Sequence, residues 1–463
     1  MLSFFDSRQP LGRRQFLRVG SLGLGGLALP GLLQTQALGA TGRLTTGKSV
    51  IFVFLHGGPS QIETFDPKMT APSGIRSATG ELTTRIPGVT FGGTFPNLAQ
   101  RADRLAIVRS FVTGDGNHDI KPVVGRDTGG ANLGTLYSRV VGANHPLTGM
   151  PTNAALFPQA VEAMSQPAQK SFGNFESTGG LGSSFAPFVP GTGADLQQDM
   201  QLAIPMDRLG DRRTLLSELD RVRFSLESSS GLSGLDRLRD QAFSTIVGGV
   251  AGAFDLSRED PQTIARYDTS PLMTADQIDR KWNNHKYYVD NVVTLGRLLL
   301  LARRLCEAGC GFVTVTTNFV WDNHADVNNA PVEEGMRYCG RPLDHALGAF
   351  LDDVQERGLS DKILLVCCGE MGRTPQINNN GGRDHWGNLA PLLLTGGRIK
   401  AGQVIGQSNR NAGEPATEPV RIPNLVATIM HTLFDVGELR VTRGVPNEVI
   451  RAATAAEPIP GLM

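Results

Sequence analysis

Three segments near the carboxyl half of this 463-residue chain set carboxylates beside imidazoles: Trp321-Asp322-Asn323-His324, Gly369-Glu370-Met371-Gly372-Arg373-Thr374 and Gly382-Arg383-Asp384-His385-Trp386. Oxygen and imidazole donors in this mixture suit a divalent ion such as zinc, manganese, iron or calcium, and an ion so held supports hydrolysis. Asp322, His324, Glu370, Asp384 and His385 are therefore the first candidate ligands. A carboxylate such as Glu370, at the end of an apolar run, is costly to bury unless a cation pairs with it. Two earlier segments extend the set: His56-Gly57-Gly58-Pro59-Ser60 with Glu63, Thr64 and Asp66, and the group Thr113, Asp115, Asn117, His118 and Asp119. His118 or His385 could act as acid or base, and Arg373 could hold an anion.

Such residues act together only if the fold gathers them. Five apolar runs rich in β-branched residues read as strands: Ser49–Leu55, Leu105–Val112, Phe312–Thr317, Ile363–Cys368 and Leu389–Leu394. Their apolarity is continuous, which marks strands covered on both faces. Helical patterns lie between them, at Tyr288–Ala308, at Leu343–Arg357 before Gly358, and from Pro423 to just before Gly437. The alternation predicts an α/β fold, a mostly parallel sheet with helices on both faces. Ligands in such sheets bind beyond the carboxyl ends of the strands, and every candidate above follows a strand or immediately precedes the fifth. Four of the eight histidines fall on that one edge.

The middle of the chain reads differently. Residues 133–190 are rich in Gly, Ser, Pro and Asn, as in long surface loops, and residues 206–256 show charged helical spacing. Together they suggest an inserted helical and loop lobe at about 133–280, within one large domain spanning 41–463.

Residues 1–40 read as a leader. Arg13 and Arg14, followed by Phe16, Leu17 and Arg18, form a twin-arginine motif ahead of a short apolar run ending near Ala40. That run, Val19 to Leu33, holds five glycines and a proline and is short for a bilayer-spanning helix. The expected location is periplasmic or extracellular. Without residues 1–40 the 44 basic and 44 acidic residues become 40 and 43, because Arg8, Arg13, Arg14, Arg18 and Asp6 are removed. So balanced a chain has no basic face for nucleic acid, and no later apolar run is long enough to span a membrane. The five cysteines, Cys306, Cys310, Cys339, Cys367 and Cys368, have no disulfide spacing and read as packing residues.

The twin-arginine leader, the run from Leu55 to Lys68, the run from Ala302 to Gly309, and the Trp321–His324, Gly369–Pro375 and Gly382–Trp386 motifs together resemble the DUF1501 family of exported bacterial proteins. The resemblance covers nearly the whole chain after the leader. It implies an alkaline-phosphatase-like fold, shared with sulfatases, in which one or two metal ions sit at the strand ends on Asp and His side chains. By that resemblance Asp322 and His324, Glu370, and Asp384 with His385 match the family's ligand positions, while Asp66 or Glu63 would replace an aspartate expected directly after the first strand. Ser60 and Thr113 are the hydroxyls in suitable loops for a nucleophile; otherwise water activated by an ion would attack. The resulting expectation is an exported metal-dependent hydrolase of phosphate or sulfate esters, with a small anionic ester or a glycan as substrate. The alternatives are a secreted binding or structural protein without turnover and, less favoured, a redox protein.

Overall fold

The structure, a computed structural model, describes residues 44–191 and 250–463. The leader therefore lies outside the described residues, as does most of the helical run at 206–256. Nine strands concern the site: β1 (Ser49–Phe54), β2 (Ala106–Val108), β3 (Asn153–Leu156), β4 (Phe312–Val315), β5 (Ile363–Cys368), β6 (Gly372–Ile377), β7 (Arg383–Trp386), β8 (Leu392–Gly396) and β9 (Gln403–Ile405). Seven of them form one sheet in the order β9-β2-β8-β5-β1-β4-β3, and β6 with β7 forms a separate antiparallel hairpin. Within the sheet β8 alone runs antiparallel to its neighbours, so the sheet is mixed but mostly parallel.

The continuous apolarity of the central strands has the expected cause. Ile51 and Val53 of β1, with Leu365 and Cys367 of β5, enter the core under helices α3 (His285–Glu307) and α4 (Val332–Glu356). Val50, Phe52 and Phe54, with Leu364, Val366 and Cys368, enter the core on the opposite face, against α5 (Ile422–Leu433). Helices α1 (Gln61–Thr64) and α2 (Leu133–Val141) precede these in the chain. A period of two sends alternate residues to the two cores, and each fully buried Val, Leu, Ile or Phe side chain contributes roughly 1.5–3 kcal/mol. Cys367 and Cys368 thus point to opposite faces. All five cysteines are free and buried, as packing residues are.

Several expectations need correction. The run Leu105–Val112 is not one strand: after β2 it breaks at Arg109, whose guanidinium turns to the carbonyls of Phe65 and Thr90, and Phe111–Val112 pairs instead with Val420–Arg421. The fifth expected strand begins later, at Leu392. Residues 133–190 are not loop alone, because they supply α2 and the edge strand β3; its sequence Asn-Ala-Ala-Leu lacks the β-branched residues that betray a strand. β3 thus lies in the main sheet within the range 133–280 expected of an inserted lobe, and residues 192–249 of that range lie outside the described residues.

Helix α4 was expected only from Leu343 but starts at Val332 and runs through Pro342. A proline there deprives the carbonyl of Tyr338 of its helical donor. The Asn291 side chain of α3 donates to that carbonyl at 2.8 Å, which makes the proline tolerable. Helix α5 stops at Leu433, and Asp435 caps a new short helix, Val436–Val441, that contains Gly437. No helix among the described residues is long and apolar enough to cross a membrane.

Candidate functional site

The chain segments that follow β1, β4 and β5 meet at the carboxyl edge of the sheet. They carry His56 to Gly58, Asp322 with His324, and Glu370 respectively, and the run after Phe111–Val112 brings His118. Because β8 is antiparallel, its entrance lies at this edge, and the β6–β7 hairpin just before it delivers Arg373 and His385, paired across the hairpin. Missing side chains let these segments close on one another. Gly57, at φ +114°, would place a Cβ 2.6 Å from the backbone nitrogen of Asp322, and a Cβ on Gly382 would lie 2.2 Å from the carbonyl carbon of His324. No residue but glycine fits at Gly57. The N–H groups of Val320 and Trp321 then donate to the His56 carbonyl and fasten the Asp322 segment to the end of β1.

Asp322 is the centre of the arrangement. It is 3% exposed, and both its oxygens are fully engaged. Oδ1 lies 2.5 Å from Nη2 of Arg373, 3.5 Å from Nε2 of His118 and 3.4 Å from Nε2 of His385. Oδ2 lies 3.0 Å from Nε2 of His324 and accepts from Nδ2 of Asn329 at 2.9 Å. Behind His118 stands Glu370, wholly buried, whose Oε1 is 3.0 Å from Nδ1 of His118 and accepts from the N–H of Gly57 at 2.9 Å. His118, His324 and His385 border a cavity of about 330 Å³ with Asp326, Asn329 and the stacked rings of Phe172 and Phe319.

The electrostatics follow from these contacts. Burial opposes the charge of Asp322, but Arg373 and the surrounding imidazoles outweigh it and hold the carboxyl far below the usual carboxylate range. Burial also works against the His118 cation, yet Asp322 and Glu370 more than compensate and raise its pKa; the bond to Asp322 raises that of His324. Since both nitrogens of His118 face carboxylate oxygens, the doubly protonated ring satisfies both. His56 is the counter-case: buried among Phe54, Phe172, Phe175 and Phe319, it is pushed down to about 4 by desolvation and stays neutral.

The donor set fits a divalent ion. Ligand atoms of a tetrahedral zinc stand about 3.4 Å apart when its bonds are about 2.0–2.1 Å, close to the distances from Oδ1 of Asp322 to His118 and His385. One donor atom from each of the three residues lies within 4.8 Å of the others. The Glu370–His118 contact is the carboxylate support that orients a metal-binding imidazole. Arg373 weighs against the ion, because it already contributes one positive charge to Asp322.

Of the residues singled out in sequence, Asp322, His324, His385 and His118 converge, and Glu370 joins them from behind His118 and not as a ligand. Asp384 does not converge. It stands at an irregularity in the hairpin register between Arg383 and His385, and its exposed carboxylate accepts from Asn378 at 2.9 Å. Asp66 is held elsewhere by Lys68, Arg109 and Ser408, and Glu63 is locked to Arg383, both fully buried, at 2.7 Å. Neither can replace a metal ligand without breaking those pairs.

The Ser60 hydroxyl caps α1 by accepting from the N–H groups of Ile62 and Glu63, and that of Thr113 leans toward the Gly387 carbonyl at 3.4 Å. Arg373 is 1% exposed and turned inward, donating to the carbonyls of Gly57, Gly58 and Arg383, so it is not an open anion-holding group. Sequence reading missed Asn329, Asp326 and the two phenylalanines. Asp326 continues the alternation Asp322, His324, Asp326 and was detectable from it; Phe172 comes from a distant loop with no local signal.

The profile of the family described as "Protein of unknown function (DUF1501)" matches residues 47–457, and the chain belongs to that family. No curated protein matches it. Among solved structures, a sulfatase from Pseudoalteromonas sp. is 12% identical, with 87% of this chain and 70% of that one covered and a TM-score of 0.36. A phosphonate monoester hydrolase from Silicibacter pomeroyi is 10% identical, with 83% and 73% covered and a TM-score of 0.33. A lipoteichoic acid synthase from Listeria monocytogenes is 9% identical, with 90% and 81% covered and a TM-score of 0.30.

Proposed function

We propose that this member of the DUF1501 family is a divalent-metal-dependent hydrolase of phosphate or sulfate esters. The observation that carries the reading is the convergence of Nε2 of His118 and Nε2 of His385 on one oxygen of the buried Asp322, with Glu370 supporting His118. A divalent ion bound there would polarise an ester oxygen and make a coordinated water more acidic. Asp322 and Arg373 hold the ligand frame rigid. His324 faces the cavity and, with its pKa raised by Asp322, is placed to give a proton to a departing alcohol. The alkaline-phosphatase-like ancestry and a periplasmic or extracellular location are part of this proposal; the motif at Arg13 and Arg14 supports export.

A second reading, a binding protein without turnover, is favoured by one observation: Ser60 and Thr113 both commit their hydroxyls to the backbone. It leaves activated water as the route that hydrolysis would need. Metal analysis of protein purified without chelator, beside His385→Ala and Asp322→Ala, tests both readings. The hydrolase reading expects about one equivalent of ion, lost in both variants along with ester turnover. Retention of the ion in both variants refutes the ligand set, and bound ion with no turnover of any phosphate or sulfate ester favours the second reading.

A further inference from the structure

We propose that the ester accepted here carries a single negative charge, as a sulfate monoester or a phosphate diester does, and not the two of an ionised phosphate monoester. This rests on the hydrolase reading and narrows its substrate class. It follows from the charges that surround the cavity. Asp322, Asp326 and Glu370 contribute three carboxylates, the first two lining the cavity and the third supporting His118. Among the described residues, Arg373 is the one lysine or arginine bonded to any of them, and neither residue type lines the cavity. The nearby ammonium of Lys121 is held by Asp115 and Asp119 at 2.8 and 3.1 Å.

Counted over Asp, Glu, Arg and Lys, three carboxylates and one guanidinium leave a surplus of two negative charges, which a divalent ion on His118, His385 and Asp322 cancels. A proton on His324 adds at most one positive charge to that balance. A monoanion entering with the ion bound therefore leaves at most one negative charge uncompensated, and a dianion always leaves one more, beside the apolar walls of Phe172 and Phe319 that limit screening. Sites that take dianions recruit arginine or lysine for that purpose; here the one arginine is spent on Asp322 and on backbone carbonyls.

Asp326 is the charge that tunes this preference without dismantling the site. One of its oxygens accepts from the N–H groups of Asn328 and Asn329, which an asparagine oxygen also does, and the other lies 3.9 Å from Nε2 of His324 and accepts from Nδ2 of Asn328 at 3.2 Å, the one bond an asparagine gives up. Asp326→Asn therefore removes a charge and keeps the turn.

The test uses phenyl sulfate, methyl phenyl phosphate and phenyl phosphate, which share a shape and differ in charge at mildly alkaline pH. Their binding to the full chain is measured by calorimetry, with zinc or manganese loaded and after chelation. Loaded wild-type protein should bind the two monoanions roughly tenfold or more tighter than phenyl phosphate, and Asp326→Asn should narrow that gap by about tenfold, the influence of one charge several ångströms away. Chelated protein should bind none of the three. A preference for phenyl phosphate, an unchanged gap in Asp326→Asn, or no binding to the loaded protein overturns the proposal. Binding in the expected order without turnover of nitrophenyl versions of these esters leaves the charge preference standing and instead removes the hydrolase reading.

Discussion

Replacing Arg373 by methionine should weaken the metal-free protein and strengthen its hold on a metal ion. The guanidinium is 1% exposed, lies 2.5 Å from Oδ1 of Asp322, and donates to three carbonyls that turn at the same corner. Breaking a buried ion pair from one side costs about 3–5 kcal/mol. If the known trend with chain length continues, each kcal/mol in a protein this size moves the midpoint by roughly 1–2 °C, so unfolding with chelator present should begin roughly 3–10 °C lower. An ion shared between His118, His385 and Asp322 would lie about 4 Å from that guanidinium. Even with the screening of water, a divalent ion at that distance is repelled by about 2 kcal/mol, so its removal should tighten binding roughly thirtyfold. Arg373→Lys keeps the charge but loses the planar fork. It should lower the midpoint while leaving ion affinity near wild type. Thermal unfolding with and without zinc, and calorimetric titration of the ion, check both signs. If Arg373→Met folds with an unchanged midpoint in chelator, or binds the ion more weakly, Arg373 does not play the part assigned to it.

Glu370→Gln keeps an acceptor for the N–H of Gly57 but removes the charge behind His118; ion affinity, followed by competition with a chromogenic chelator, should fall by roughly 10–100-fold with little change in fold. Stability without metal should depend on pH in a defined direction. His118, despite burial, and His324, through its bond to Asp322, have raised folded-state pKa values, so their contribution is complete below pH about 6.5 and is lost as pH rises through those values. Glu259, where burial is outweighed by Arg303, is lowered to about 2, so its contribution is complete above pH about 4.3 and is lost on acidification toward 2. Metal-free midpoints should hence decline as pH rises above about 6.5, whereas the increase given by zinc should grow, because a bound ion takes the place of the Nε2 proton; a zinc increment independent of pH would contradict this. Ala325, next to His324, sits at φ +61°, a conformation that costs a non-glycine residue roughly 1–2 kcal/mol. Ala325→Gly should raise the midpoint slightly once the added freedom of the unfolded glycine is deducted, and a lower midpoint would show that its methyl group packs usefully.

The parts of the molecule that were legible in sequence are those where one local signal sufficed. β1, β4 and β5 announce themselves because both faces are buried and almost every residue is apolar, and the strand-end rule then brings Asp322, His324, Glu370 and His118 to one edge. Edge strands such as β3, with Asn153 and two alanines, carry no such signal, since their place depends on a neighbour and not on their own composition. The pair Asp384-His385 was read as a unit because its segment looked like a loop. In the hairpin His385 pairs with Arg373 while Asp384 sits at the register irregularity and bonds Asn378, a separation that no local pattern announces. Arg373 and Arg383 are the hardest case. Charged residues belong at the surface as a rule, and nothing adjacent in sequence reveals that Asp322 and Glu63, 51 and 320 positions away, are waiting inside as partners.

That internal pairing bears on what kind of metal site the proposed ligands would make. A zinc site that serves folding is assembled from ligands which, without the ion, repel one another or lie unpaired, and the chain unfolds when the ion leaves. Here both oxygens of Asp322 already have partners, both ring nitrogens of His118 face carboxylate oxygens, and Arg373 joins the corner to three carbonyls. The frame is complete with protons alone. Binding an ion therefore exchanges a proton at Nε2 of His118 for a metal without building new structure, and the binding energy is not consumed in ordering the ligands. Affinity should then be governed by pH and by the charge of Arg373 more than by folding. A site of that design remains open to its ligand on the cavity side, through His385 and His324, which are 37% and 27% exposed at the side chain while Asp322 is 4%. Rigid behind and open in front is the arrangement that chemistry on an entering ester requires.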